Sequence, residues 1–64
     1  MSQFKITYFF GGDLSISKTV EKNEKAEVIQ EVKDNAGLVE FTEKDKYYRF
    51  DTKDIKLYTV EATN

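Results

Sequence analysis

An α+β domain, with a small antiparallel sheet and one helix packed on one face, follows from three features of this chain. Apolar and polar residues alternate in five short segments. A 3.6-residue apolar period occurs once, between the second and third of them, and glycines stand where the period changes. The order is strand, strand, helix, strand, strand, strand. No linker, repeat or low-complexity tract divides residues 1–64, so a single domain is expected.

The first segment places Phe4, Ile6, Tyr8 and Phe10 on one side of a strand and Lys5, Thr7 and Phe9 on the other. After Gly11, Gly12 and Asp13, a second alternation sets Leu14, Ile16 and Val20 against Ser15, Ser17 and Thr19. A two-residue turn of Gly11 and Gly12 would send the two apolar rows to opposite faces of the sheet. A three-residue loop over 11–13, with a glycine supplying a positive φ, pairs Phe10 with Leu14, Tyr8 with Ile16 and Phe4 with Val20, and keeps the rows together. That register puts Lys18 opposite Ile6, so its ammonium must reach outward along its own alkyl stem.

Asn23 as N-cap, Glu24 and Glu27 in the first turn and Gly37 beyond the end predict a helix over about residues 24–36. On it Val28, Ile29, Val32 and Ala36 fall within an arc of roughly 100°, enough to cover one sheet face. Beyond Gly37 the period returns to two, in Val39 and Phe41, Tyr48 and Phe50, and Ile55 and Leu57. A four-residue loop over 43–46 pairs Phe41 with Tyr48 and Val39 with Phe50. The same register sets Glu40 against Arg49 as an opposite-charge pair. A turn over 51–54 then brings Ile55 against Phe50 and Leu57 against Tyr48, with Arg49 beside Lys56.

Composition narrows the function. The chain has no His, Cys, Trp or Pro, so the usual acid–base side chain and all thiol chemistry are missing. A chain this short buries one thin core, worth about 3–5 kcal/mol net, which leaves little room for a deep cleft; association with a second copy would add stability and stays open. The adjacent Gly11 and Gly12 lack phosphate-loop spacing. Asp51 with Asp54, and Glu43 with Asp45, lack the spacing of a calcium loop. No catalytic residue, cofactor or metal site is expected, and the protein reads as non-enzymatic. With no cysteine, no leader-like apolar run and no stretch near the roughly 20 apolar residues of a membrane span, a soluble cytoplasmic protein is expected. Its net charge of −2 opposes nucleic acid at long range.

Two surfaces remain as candidates for binding. On the helix, Glu24, Glu27, Glu31 and Asp34 recur at spacings of three or four. They form either an ordinary solvated face or a docking edge for a basic partner, with imitation of a phosphate backbone as a further version. On the sheet, the registers above put Phe9, Tyr47 and Tyr58 on the side away from the helix, with Lys5, Arg49 and Lys56 among them. Three readings fit this row. Tyr47 and Tyr58 stiffen the sheet as a cross-strand pair; or the patch contacts another protein, a second copy of the chain included; or it stacks the bases of single-stranded nucleic acid. Against the last stand Glu40 and Glu61 and the lack of an RNP-type motif. The sheet's edge strands offer a further route, by addition of an extended segment from another chain.

The opening Lys5, Ile6, Thr7, Tyr8, Phe9, Phe10, Gly11, Gly12 and the closing Tyr48, Arg49, Phe50, Asp51 to Asp54, Ile55 resemble short α+β proteins encoded by phages and prophages of low-GC Gram-positive bacteria. The resemblance implies a stoichiometric inhibitor or regulator of a host or defence protein. It assigns no functional residues. The leading expectation is thus a protein-interaction module, and the alternative a single-stranded nucleic-acid binder using Phe9, Tyr47, Tyr58, Lys5, Arg49 and Lys56.

Overall fold

β1 (Ser2–Gly11) carries the longest alternation in the chain and becomes a central strand, with Phe4, Ile6 and Tyr8 all buried. The computed structural model describes residues 1–63. β2 (Leu14–Lys22) lies antiparallel along one side of β1 in the expected register, Phe4 opposite Val20, Ile6 opposite Lys18 and Tyr8 opposite Ile16. The turn end differs from expectation. Leu14 faces Gly11, and Phe10 is the extra residue of a bulge. Gly11 and Gly12 take the positive φ values of 106° and 58° that this bend requires. Phe10, at the bulge, sets its ring edge-on to Phe50, centroids 4.9 Å apart, a favourable aromatic geometry. Lys18 does not simply extend into water, because its ammonium sits 5.1 Å from the centre of the Phe41 ring.

α1 (Lys25–Asp34) is shorter than residues 24–36. Its N-cap is Glu24 rather than Asn23. The Glu27 carboxylate turns back to accept the backbone N–H groups of Asn23 and Glu24, each at 3.0 Å, and this fixes the helix start. At the far end, the N–H of Asn35 donates to the Val32 carbonyl and that of Ala36 to the Asp34 carbonyl, and the chain then leaves the helix. Ala36, expected on the apolar face, is exposed coil. Val28 is buried, Val32 packs on the core and Ile29 is half-buried. Gly37, at φ 96°, donates its N–H to Thr52 Oγ1 at 3.0 Å and accepts the Thr52 N–H at 2.9 Å, which fastens this connection to the turn after the next hairpin.

β3 (Leu38–Glu43) and β4 (Lys46–Asp51) form that hairpin, with Val39 opposite Phe50, Glu40 opposite Arg49 and Phe41 opposite Tyr48 as expected. The turn is tighter than a four-residue loop. Glu43 still pairs with Lys46, and Lys44 and Asp45 alone make the bend, at φ 51° and 65°. Two successive positive φ values are those of a type I′ turn, whose twist matches that of the strands.

The last strand overturns an expectation. β5 (Leu57–Ala62) pairs with β1, not β4: Tyr8 faces Tyr58, Ile6 faces Val60 and Phe4 faces Ala62. The strands therefore form a three-stranded sheet in the order β2-β1-β5 and a separate two-stranded β3-β4 hairpin. Two causes are visible. Residues Thr52–Asp54 form a 3-10 turn, capped by Asp51 Oδ1 on the Lys53 N–H at 3.0 Å and tied to Gly37, which turns the chain away from β4. The Lys56 N–H then donates to the Phe9 carbonyl at 2.8 Å and opens the pairing with β1. The alternative hairpin would have set Arg49 beside Lys56 and left one edge of the most apolar strand bare.

The helix and the β3-β4 hairpin together cover one face of the three-stranded sheet. Phe4, Ile6, Tyr8, Val28 and Val39 form the buried centre, with Phe10, Val20, Val32, Phe41, Phe50, Ile55 and Val60 packed around it. Phe50 is the hub of the aromatic packing, edge-on to Tyr8 at 5.1 Å, Phe10 at 4.9 Å and Phe41 at 6.2 Å. Glu43 joins the layers by accepting the Thr19 N–H at 3.1 Å. Among the described residues no helix is long and apolar enough to cross a membrane.

Candidate functional site

Where the β1-β2 turn meets β4 and the 3-10 turn, the surface opens into a groove of about 580 Å³. Its floor is Phe10, Leu14, Ile16 and Phe50, and its charged rim is Arg49, Lys53, Asp54 and Lys56. The bulge builds this floor. Because Leu14 faces a glycine, it has no cross-strand side chain to pack on and remains 60% exposed. The same glycine gives Lys56 its place: a Cβ on Gly11 would lie 3.2 Å from Lys56 Cε, so the alkyl stem of Lys56 runs over bare backbone. Arg49 reaches the rim from β4, and Lys53 from the 3-10 turn. Three cations and one acid thus surround an apolar floor in a chain whose net charge is −2.

Of the residues singled out from the sequence, Arg49 and Lys56 meet in this groove. Tyr47 shares Arg49's side of the β3-β4 hairpin but does not line the groove, and none of the others lines it either. Tyr58 belongs to the same side of the sheet as Tyr8, its cross-strand neighbour, and so faces the helix layer instead of the open side. Tyr47 lies in the other sheet, opposite Thr42, 57% exposed, with its hydroxyl donating to Glu40 Oε1 at 2.6 Å. That hydrogen bond, more than any other influence, holds the Tyr47 phenol above its ordinary pKa. The expected Tyr47–Tyr58 cross-strand pair is therefore absent. Phe9 does lie on the open face with Lys5 and Thr7, between Ser15 and Leu57, and it is half-buried.

The acidic stripe of α1 is largely taken up within the chain. Glu27 caps the helix, Glu31 pairs with Lys22 at 3.0 Å, and Asp34 accepts the Gln30 side-chain amide at 2.9 Å. The hydrogen bond to Glu31 raises the Lys22 pKa. Glu24 occupies the N-cap. The four carboxylates thus answer local needs first.

Sequence reasoning missed Phe10, Leu14, Ile16, Lys53 and Phe50 as site residues because it used the four apolar ones as inner-face core. The available signal was the glycine pair beside Phe10, which allows a bulge and leaves a neighbouring apolar residue uncovered.

No protein-family model, curated protein or solved structure matches the chain. The groove has to be interpreted from its own chemistry.

Proposed function

We propose that this chain is a non-enzymatic protein-interaction module that holds an acidic segment of another protein, anchored by one apolar side chain, in the groove between the β1-β2 turn and β4. The observation that carries the reading is Leu14, exposed on an apolar floor and ringed by Arg49, Lys53 and Lys56. Burying a leucine this exposed contributes roughly 1–2 kcal/mol, and apolar anchors in desolvated pockets are where binding energy concentrates. The cations add orientation and association rate more than affinity. A groove of this size suits a short segment bound reversibly more than an extensive obligate interface. Within this reading, the resemblance to phage proteins makes the partner a host or defence protein that the module inhibits or regulates in a one-to-one complex.

Single-stranded nucleic acid fits less well. Stacking needs free ring faces, but Phe10 and Phe50 are engaged with each other and Phe50 also with Tyr8 and Phe41. Tyr47 and Tyr58, the exposed rings, stand in different sheets.

Affinity purification from the source cell tests the proposal, using the parent chain, Leu14→Glu, the double variant Lys53→Glu with Lys56→Glu, and Glu21→Lys as a control away from the groove. A partner recovered by the parent and the control, and lost by both groove variants, is the expected result. Recovery of the same partner by the groove variants refutes the docking site, and oligonucleotide binding that weakens steeply with salt would favour the nucleic-acid reading instead. Solution mass separates a monomer from a pair of copies joined through the groove.

A further inference from the structure

A second cavity, of about 250 Å³, lies between the C-terminal turn of α1, β5 and the 3-10 turn, and it shares no lining residue with the groove. Val32, Val39, Ile55 and Tyr58 make its apolar walls, Tyr8 contributes to its lining, and Lys33, Asn35 and Thr52 bring polar groups to it. Its volume falls between that of an engineered cavity that takes up benzene, ~150 Å³, and the lower end of ordinary ligand pockets, ~300 Å³. One ring or one branched chain is the size it accepts.

The chemistry comes from Tyr8. This side chain is 1% exposed, and its hydroxyl has no hydrogen-bond partner among the described residues. A phenylalanine would fill the same space without a polar atom to satisfy, and the chain uses phenylalanine at the neighbouring positions Phe4 and Phe10. Burial first, and then the charge of Glu31 and the nearby Tyr58, hold the Tyr8 phenol above its ordinary pKa, so at neutral pH it keeps its proton and serves as a donor. The lining includes no acidic side chain among the described residues, and Lys33 is its one cation. Glu31, which acts on Tyr8 from the same helix, is paired with Lys22 at 3.0 Å. The Thr52 hydroxyl is already engaged with Gly37. The polar groups left for a ligand are therefore the exposed Lys33 and Asn35 and, behind the cavity wall, the buried and unpartnered Tyr8 hydroxyl, which a ligand reaches only when a neighbouring side chain moves.

We propose that this cavity is a binding site for a small 2-oxo acid with a single ring or a branched chain: the apolar body lies among Val32, Val39, Ile55 and Tyr58, the carboxylate meets Lys33, and the oxo oxygen accepts the Tyr8 hydroxyl. Tyr58, the cross-strand neighbour of Tyr8, is 36% exposed and lines the same cavity, so within this proposal it is the side chain whose displacement opens the Tyr8 hydroxyl to the ligand.

The test is an amide ¹⁵N–¹H titration with phenylpyruvate and 4-methyl-2-oxopentanoate, alongside 3-phenylpropanoate, which lacks the oxo group, and phenylacetamide, which lacks the carboxylate. The expected result is a saturable shift of amides at 32–35, 52, 55 and 58 with the oxo acids, and weaker binding of both analogues. Lys33→Gln, a substitution on an exposed helix position, should weaken the oxo acids about tenfold and leave phenylacetamide unchanged. Tyr8→Phe should remove the preference for phenylpyruvate over 3-phenylpropanoate. Absence of shifts at millimolar concentrations, or equal affinity for the oxo acids in the parent and Lys33→Gln, overturns the proposal whatever Tyr8→Phe shows. Because the two sites share no residue, the groove reading stands or falls separately.

Discussion

Tyr8→Phe should stabilise the ligand-free protein. The substitution keeps the ring, its burial and its edge-on contact with Phe50 at 5.1 Å, and removes only a hydroxyl that has no hydrogen-bond partner among the described residues. Leaving such a group buried costs about 1–3 kcal/mol, and the void of one missing oxygen takes back a few tenths, so a gain of about 1 kcal/mol is expected. In a domain of this length that raises Tm by about 4–8 °C, easily read by thermal circular dichroism. The alkaline limb gives an independent check. The folded-state pKa of Tyr8 is raised, so above the ordinary phenol value near 10 the unfolded chain binds fewer protons than the folded one. The associated stability is intact below about pH 10 and is lost as pH climbs toward the folded-state pKa. Tyr8→Phe should flatten that decline. The raised Tyr47 and Lys22 values act in the same direction and remain in the variant. A loss of 1 kcal/mol or more at pH 7 would show that the hydroxyl has a bonding partner, and would refute the reasoning.

Other perturbations probe the frame. Lys44→Asn combined with Asp45→Gly places the favoured residues of a type I′ turn at φ 51° and 65°, and should raise the denaturation midpoint by the equivalent of about 1 kcal/mol. An unchanged or lower midpoint would contradict that turn. Glu27→Ala removes the acceptor of two backbone N–H groups and should cost about 1 kcal/mol, with faster amide exchange at Asn23 and Glu24. Phe50→Ala takes away the ring shared by Tyr8, Phe10 and Phe41; at about 3 kcal/mol or more, it should leave much of the population unfolded at 25 °C by circular dichroism.

Local periodicity carried most of the fold. Alternation in β1 and β2 located the inner row from Phe4 to Tyr8, and the opposed charges of Glu40 and Arg49 located the β3-β4 register, because both are contacts between segments joined by short turns. The partner of β5 was not legible. Its alternation suits either β1 or β4, and the choice rests on the tie between Thr52 and Gly37, residues 15 apart whose hydrogen bonds leave no periodic mark. That one misplacement moved Tyr58 to the other side of the sheet and dissolved the aromatic row expected there. The groove was half visible: Arg49 and Lys56 were suspected, but the bulge that exposes Leu14 goes with a Phe10–Phe50 contact between segments 40 residues apart, which leaves no periodic mark. The helix acids show a related limit, since their spacing is plain while the groups they bond are set by the cap and by Lys22.

The most direct measurement of the functional account is an amide titration with a short peptide of glutamates around a central leucine, at moderate ionic strength. The account predicts saturable shifts at Phe10, Leu14, Ile16, Phe50, Lys53 and Lys56, weakened by salt and absent in Leu14→Glu. Shifts centred on Lys5, Thr7 and Thr59 across the open sheet face, or on the exposed side of α1, would contradict it.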